Sequence, residues 1–200
     1  YNLRGERSIS SQDIPQRLSI SYVIDLPIGR GKKFLSSVNG PAQKLVSGWG
    51  VQGVTTFQSG FPLKFSDTNL AQQFGAGARP NRVAGCDPEL SGSAQNRLNQ
   101  WFNTACFTPA PDFTFGSEPR VDPQLRQQGI QNFDFAVFKT TRFGPDERLG
   151  IQFRTEFFNI FNRVQFGPPV TNITDATTFG IVNSQINNPR LVQFALKFLF

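Results

Sequence analysis

The feature that most constrains this chain is a two-residue alternation of apolar and polar side chains, held over long segments and repeated along the sequence. From 16 to 26, Leu18, Ile20, Tyr22, Ile24 and Leu26 fall on one face and Arg17, Ser19, Ser21, Val23 and Asp25 on the other. Successive side chains of a strand point to opposite faces, so this is a strand with one apolar side. The pattern returns over 149–161, where Leu149, Ile151, Phe153, Thr155, Phe157 and Phe161 oppose Gln152, Arg154 and Glu156. It returns again over 190–200, where Val192, Phe194, Leu196, Phe198 and Phe200 alternate with Gln193, Ala195, Lys197 and Leu199. Weaker alternation marks 130–143, with Phe133, Phe135, Val137 and Phe143 in phase, and 46–58, with Trp49, Val51 and Phe57 in phase. Five strands and no helix are predicted.

The connections between these strands alternate in length: 27–45, 59–129, 144–148 and 162–189 run shorter, longer, shorter, longer. Phe143-Gly144-Pro145-Asp146-Glu147-Arg148 is a turn by its chemistry, since Pro and Asp favour the bend and no apolar residue sits at its tip. Pro27-Ile28-Gly29-Arg30-Gly31-Lys32 reads the same way; it lacks the spacing and the strand-to-helix setting of a phosphate loop. The segment 59–129 is rich in Gly, Pro, Asn and Gln and is too long for an incidental connection in a compact domain.

Alternation alone does not say whether the apolar face meets a protein core or lipid. Three features favour lipid. The strands are about 10–14 residues long, whereas soluble strands average about 5–6 and tilted outer-membrane strands need about 9–11. Large aromatics (Trp49, Phe57, Phe61, Phe143, Phe161, Phe198, Phe200) recur near strand ends, where aromatic girdles meet the interface, although girdles more often use Tyr and Trp. Short turns on one side and long loops on the other complete the case. The predicted fold is all-β: an antiparallel up-and-down transmembrane β-barrel segment of about five long strands, with long extracellular loops. The alternative is a secreted all-β surface module recognising carbohydrate or protein. No run of 18 or more apolar residues occurs, so no transmembrane helix is expected.

Composition narrows the chemistry. The chain has no His, which removes the usual general base near neutral pH and the commonest metal ligand. With two Cys and no His, neither a Ser/His/Asp triad nor a four-sulfur zinc site can be built, so no catalytic residues, no metal, no cofactor and no enzyme activity are expected. The acidic pairs Asp146/Glu147 and Asp87/Glu89 lie in turn or loop sequence with Pro beside or between them, and read as solvated. The net charge of +6 comes from scattered Lys and Arg, with only Lys32 and Lys33 adjacent, so no nucleic-acid partner is expected. The chain also holds no Met and opens on polar sequence, with no signal peptide, which leads to the expectation of a carboxyl-terminal piece of something longer.

The last residues, Leu191-Val192-Gln193-Phe194-Ala195-Leu196-Lys197-Phe198-Leu199-Phe200, resemble the carboxyl-terminal assembly signal of bacterial outer-membrane proteins. In that signal Val192, Phe194, Leu196, Phe198 and Phe200 are the alternating apolar positions closing on an aromatic residue. Other stretches resemble the carboxyl-terminal barrel of TonB-dependent receptors, in particular the Oar-like group with a carboxypeptidase-regulatory-like amino-terminal domain. They are Glu6-Arg7-Ser8-Ile9-Ser10-Ser11, Leu26 to Lys32, Gly48-Trp49 through Phe57-Gln58-Ser59-Gly60-Phe61-Pro62-Leu63, Trp101-Phe102-Asn103-Thr104, Asn132-Phe133-Asp134, and Arg154-Thr155-Glu156-Phe157-Phe158-Asn159-Ile160-Phe161-Asn162.

The resemblance implies a receptor of about twenty-two strands around an amino-terminal plug, worked by a periplasmic coupling protein. Its partners would be outer-membrane lipid, the barrel-assembly machinery, the missing plug and remaining strands, and periplasmic TonB through the missing amino-terminal region. The location is then the bacterial outer membrane, with 59–129 and 162–189 outside the cell. In that setting Cys86 and Cys106 are expected to form a disulfide, the alternative being two free thiols. The loop residues Trp101, Phe102, Phe107, Phe113 and Phe115 are read either as a ligand-contacting surface at the barrel mouth or as aromatics packing the loop upon itself. Gln152, Arg154 and Glu156 are expected to face the lumen.

Overall fold

The computed structural model describes residues 3, 5–70, 73, 75 and 77–200. It divides into a sheet unit, Leu18–Phe57, Gln131–Val164 and Asn188–Phe200, and a loop unit, Tyr1–Arg17, Gln58–Ile130 and Gln165–Asn187.

Five strands run through the sheet: β1 (Arg17–Asp25), β2 (Trp49–Gln58), β5 (Ile130–Phe143), β6 (Leu149–Phe158) and β7 (Leu191–Leu199), in the spatial order β1-β2-β5-β6-β7. In the loop unit β3 (Asn81–Arg82) and β4 (Phe107–Thr108) form a small antiparallel pair. Long-sheet neighbours follow chain order, as in an up-and-down meander, and β5–β6 and β6–β7 are antiparallel. The register fixes the faces. Ile151, Phe153, Thr155 and Phe157 stand opposite Phe198, Leu196, Phe194 and Val192, while Gln152, Arg154 and Glu156 stand opposite Lys197, Ala195 and Gln193. Directly opposed residues share a face, so β6 and β7 present one apolar and one polar side together. The rings of Phe153 and Phe194 stack at 6.1 Å on the apolar side.

Two boundaries differ from the alternation. The segment expected to begin a strand at 46 instead ends a short helix, α1 (Pro41–Val46), with Pro41 in the first turn, where its missing N–H costs nothing. The Ser47 hydroxyl donates to the Gln43 carbonyl, and the Trp49 indole donates to the Leu45 carbonyl at 3.0 Å, closing the helix against the start of β2. At the other end, β6 stops at Phe158 rather than 161. Asn159 and Asn162 adopt left-handed φ of 51° and 50°, which Asn tolerates better than most residues. The Asn159 N–H donates to Asp134 Oδ1 at 2.9 Å, and its side-chain oxygen accepts the Arg163 N–H at 2.8 Å. Phe161 thereby turns edge-on to Phe133 at 5.0 Å instead of continuing the strand.

The loop unit is built from both long connections and the residues before β1. Its core gathers Leu63, Phe65, Trp101, Phe102, Cys106, Phe107, Leu125 and Val182. Phe65 stacks on Phe107 at 4.2 Å and meets Phe102 edge-on at 5.0 Å, arrangements aromatic rings favour. Backbone bonds join the two connections: Trp101 N–H to Gly180 O and Val182 N–H to Leu98 O, each 2.8 Å. Among the described residues no helix is long and apolar enough to cross a membrane.

Candidate functional site

On the polar face of the sheet, Arg154 Nη2 donates to Gln52 Oε1 at 2.5 Å and its Nη1 lies 3.7 Å from Glu156 Oε1. Gln152 donates to the Thr140 hydroxyl at 3.0 Å. The three residues singled out on β6 therefore form a cross-strand polar ladder with β2 and β5. The apolar face carries no such cover: Phe194 and Phe198 are 66% and 64% exposed, and Leu18, Ile20 and Leu196 are also exposed. The one cation among its odd-numbered β5 positions, Lys139, bends away, its Nζ donating to Lys44 O at 2.7 Å and to Ser47 O at 2.5 Å. A long side chain on an apolar surface sends its charge to the nearest polar groups in this way.

In the loop unit Cys86 and Cys106 form a disulfide with Cα atoms 5.4 Å apart. Trp101, Phe102 and Phe107 are 2%, 0% and 5% exposed, so their rings belong to the interior. Phe113 and Phe115 lie outside that core and are exposed. Beside Trp101 opens a cleft of about 340 Å³, walled by Glu89, Arg97, Gln124, Leu125 and Gln127. The Arg97 guanidinium lies 4.6 Å over the Trp101 ring, with Nη1 donating to Leu90 O at 3.2 Å. The cleft is thus lined mainly by polar side chains, with the Arg97 guanidinium held against its wall.

Next to that wall lies a buried ionisable cluster. The side chains of Glu118 and Asp122 are 0% and 1% exposed. Arg82, on β3, spans both: Nη1 is 3.2 Å from Glu118 Oε2 and 2.9 Å from Asp122 Oδ2, while Nη2 donates to Gln124 Oε1 at 3.0 Å. Its guanidinium sits 4.7 Å over the Phe107 ring. Asp122 Oδ1 accepts the N–H groups of Gln124 at 2.7 Å and Leu125 at 2.9 Å, the bonding of a carboxylate. Glu118 Oε1 is enclosed with no donor. Burial, then the Asp122 charge and a hydrogen bond shared with Asp122, push the Glu118 carboxyl up to about 8 against the pull of Arg82. Nothing in the local sequence marks this trio, because its members lie 36 and 40 residues apart and meet only in the fold. Among the described residues no group of three or more His, Cys, Asp or Glu could hold a metal ion.

A meander of long strands with one uncovered apolar face and one polar face is the wall of a membrane-spanning β-barrel. Residues 1–193 match the model of the outer membrane beta barrel domain family, and the chain belongs to that family. It is a protein of the bacterial outer membrane. In barrels of that membrane the apolar face is the one that meets hydrocarbon. No curated protein and no solved structure matches the chain.

Proposed function

We propose that the chain forms the carboxyl-terminal part of the barrel of a TonB-dependent, Oar-like receptor, which captures a ligand outside the cell and passes it inward. The reading rests on the order of short stretches that resemble that group, and one structural observation supports it most. Two long connections fold into a disulfide-bonded unit with its own aromatic core, more than an inert linker needs, so ligand capture is assigned to that unit and its cleft beside Arg97. In this reading Gln152, Arg154 and Glu156 line a hydrated lumen beside a plug, and the free edges of β1 and β7 pair with further strands of the same barrel. The segment from Val192 to Phe200, which resembles a carboxyl-terminal assembly signal, is assigned to recognition by the barrel-assembly machinery. No chemical step is assigned to the chain.

A secreted binding module is the competing proposal. A water-soluble sandwich needs its apolar face covered, and the exposure of Phe194 and Phe198 speaks against it. The test is capture of the full-length gene product, extracted from outer membranes in detergent, by the periplasmic domain of TonB. A stable complex that is lost when the amino-terminal coupling segment is deleted supports the receptor. A membrane-embedded barrel that never binds TonB removes energised transport from the reading, and a water-soluble secreted product removes the receptor altogether.

A further inference from the structure

Glu118 and Asp122 have no part in the barrel wall or in ligand capture as assigned above, yet they are among the most enclosed side chains of the loop unit. Two carboxylates set against the same guanidinium nitrogen, both out of water, repel unless one of them carries a proton. One guanidinium, Arg82, offsets one negative charge, so charge balance calls for one carboxylate and one carboxylic acid. The hydrogen bonds say which is which. Asp122 has donors on both oxygens, whereas Glu118 Oε1 is enclosed with no hydrogen-bond partner, so Glu118 is the carboxyl with the least support for a charge and the one that holds the proton.

What this pair holds in place is specific. Asp122 Oδ1 fixes the N–H groups of Gln124 and Leu125, and Arg82 fixes the Gln124 side chain; both residues wall the cleft beside Arg97. On the other side, the Glu118 N–H donates to Pro80 O at 3.1 Å, next to β3 and Arg82. The adjacent Arg79 is engaged by Glu6 at 2.7 Å, which leaves Arg82 and Asp122 as the charged groups facing Glu118.

We propose that a single proton, held by Glu118 beside Asp122 and Arg82, acts as a latch on the 122–125 turn, which brings Gln124 and Leu125 to the cleft wall. Loss of the proton leaves two buried negative charges against one positive charge, and the turn relieves this by opening Glu118 to water. The sign follows from linkage. The folded carboxyl titrates near 8 and a solvated one near 4.5, so the stabilisation is whole below about 4.5 and drains away as pH rises to about 8. The latch is closed in acid and loosens toward the alkaline side. It stands or falls independently of TonB coupling.

The chain has no His, so no imidazole obscures a transition in this window. Amide hydrogen exchange of Gln124 and Leu125, corrected for the intrinsic pH dependence, is measured on the full-length protein in detergent between pH 5 and 9. Opening coupled to release of one proton lowers protection by about tenfold per pH unit up to about 8 and then levels off. Glu118→Gln, a neutral isostere, flattens the profile. A flat wild-type profile, or an unchanged slope in Glu118→Gln, overturns the latch. Should that variant not fold, infrared titration of the wild-type protein decides: a protonated carboxyl band that persists at pH 7 and disappears by pH 9 supports the proton on Glu118, and its absence at pH 7 refutes it.

Discussion

Tyr22 on β1 lies across Gly53 on β2: a methyl group at Gly53 would come within 2.5 Å of the phenol oxygen and 2.9 Å of the Asp134 carbonyl on β5. Glycine here lets three neighbouring strands approach, with the Tyr ring covering the place of the missing side chain. Gly53→Ala should destabilise the sheet by about 1–3 kcal/mol, the usual range for forced overpacking. Tyr22→Leu in the Gly53→Ala background should restore part of the loss and not all of it, since the Asp134 carbonyl stays. Denaturant unfolding of the four proteins of this cycle checks it; full recovery would show that the carbonyl contact is without consequence.

The Cys86–Cys106 bridge closes a short loop that carries part of the aromatic core, including Trp101 and Phe102. Chain-entropy reasoning gives about 3 kcal/mol for a loop of this length. Reduction, or Cys86→Ser with Cys106→Ser, should make the loop unit markedly more sensitive to protease while leaving the sheet unit intact in detergent. Mapping the first cleavage sites with and without reductant tests this. Cleavage that does not change on reduction would show that the aromatic core alone holds the unit.

Glu6 and Arg79 fasten the residues before β1 to the rest of the loop unit through a 2.7 Å ion pair, with the Arg79 side chain only 8% exposed. The Arg79 hydrogen bond holds the Glu6 carboxyl below its ordinary range. A lowered carboxyl contributes its stabilisation above the unfolded value of 4.5 and loses it as pH falls through the folded one. Exchange of backbone amides near Glu6 should therefore quicken in acid below about pH 4.5, and Glu6→Gln should show the quickened exchange already at neutral pH. This segment and the Glu118 latch respond to pH in opposite directions, so one titration separates them.

Phe200, one residue past β7, is uncovered, and Phe194 and Phe198 on the strand before it are also largely exposed. Phe200→Ala, or deletion of Phe200, should lower the amount of folded, heat-modifiable protein in the outer membrane without lowering synthesis. Gel mobility of unboiled outer-membrane fractions is the measurement. A variant that assembles as well as the parent would separate this chain from the terminal signal it resembles.

The strands and their faces were legible in the sequence because a strand's side-chain period is a local property. Leu149 to Phe157 and Val192 to Phe198 carry the pattern in their own order, and the β6–β7 register sets their apolar positions opposite one another. Where local backbone chemistry overrode the period, boundaries moved: Pro41 opened a helix before β2, and Asn159 and Asn162 bent the chain after β6. The loop unit was not legible in this way. Trp101, Phe102 and Phe107 read as a ligand surface or, by preference, as loop packing, and only the fold showed the core they enter with Phe65, Leu125 and Val182, drawn from distant stretches. Arg82, Glu118 and Asp122 gave no signal at all, since a carboxyl that keeps its proton depends on burial and on charged neighbours brought together from distant stretches, and both exist only once the tertiary fold has excluded water.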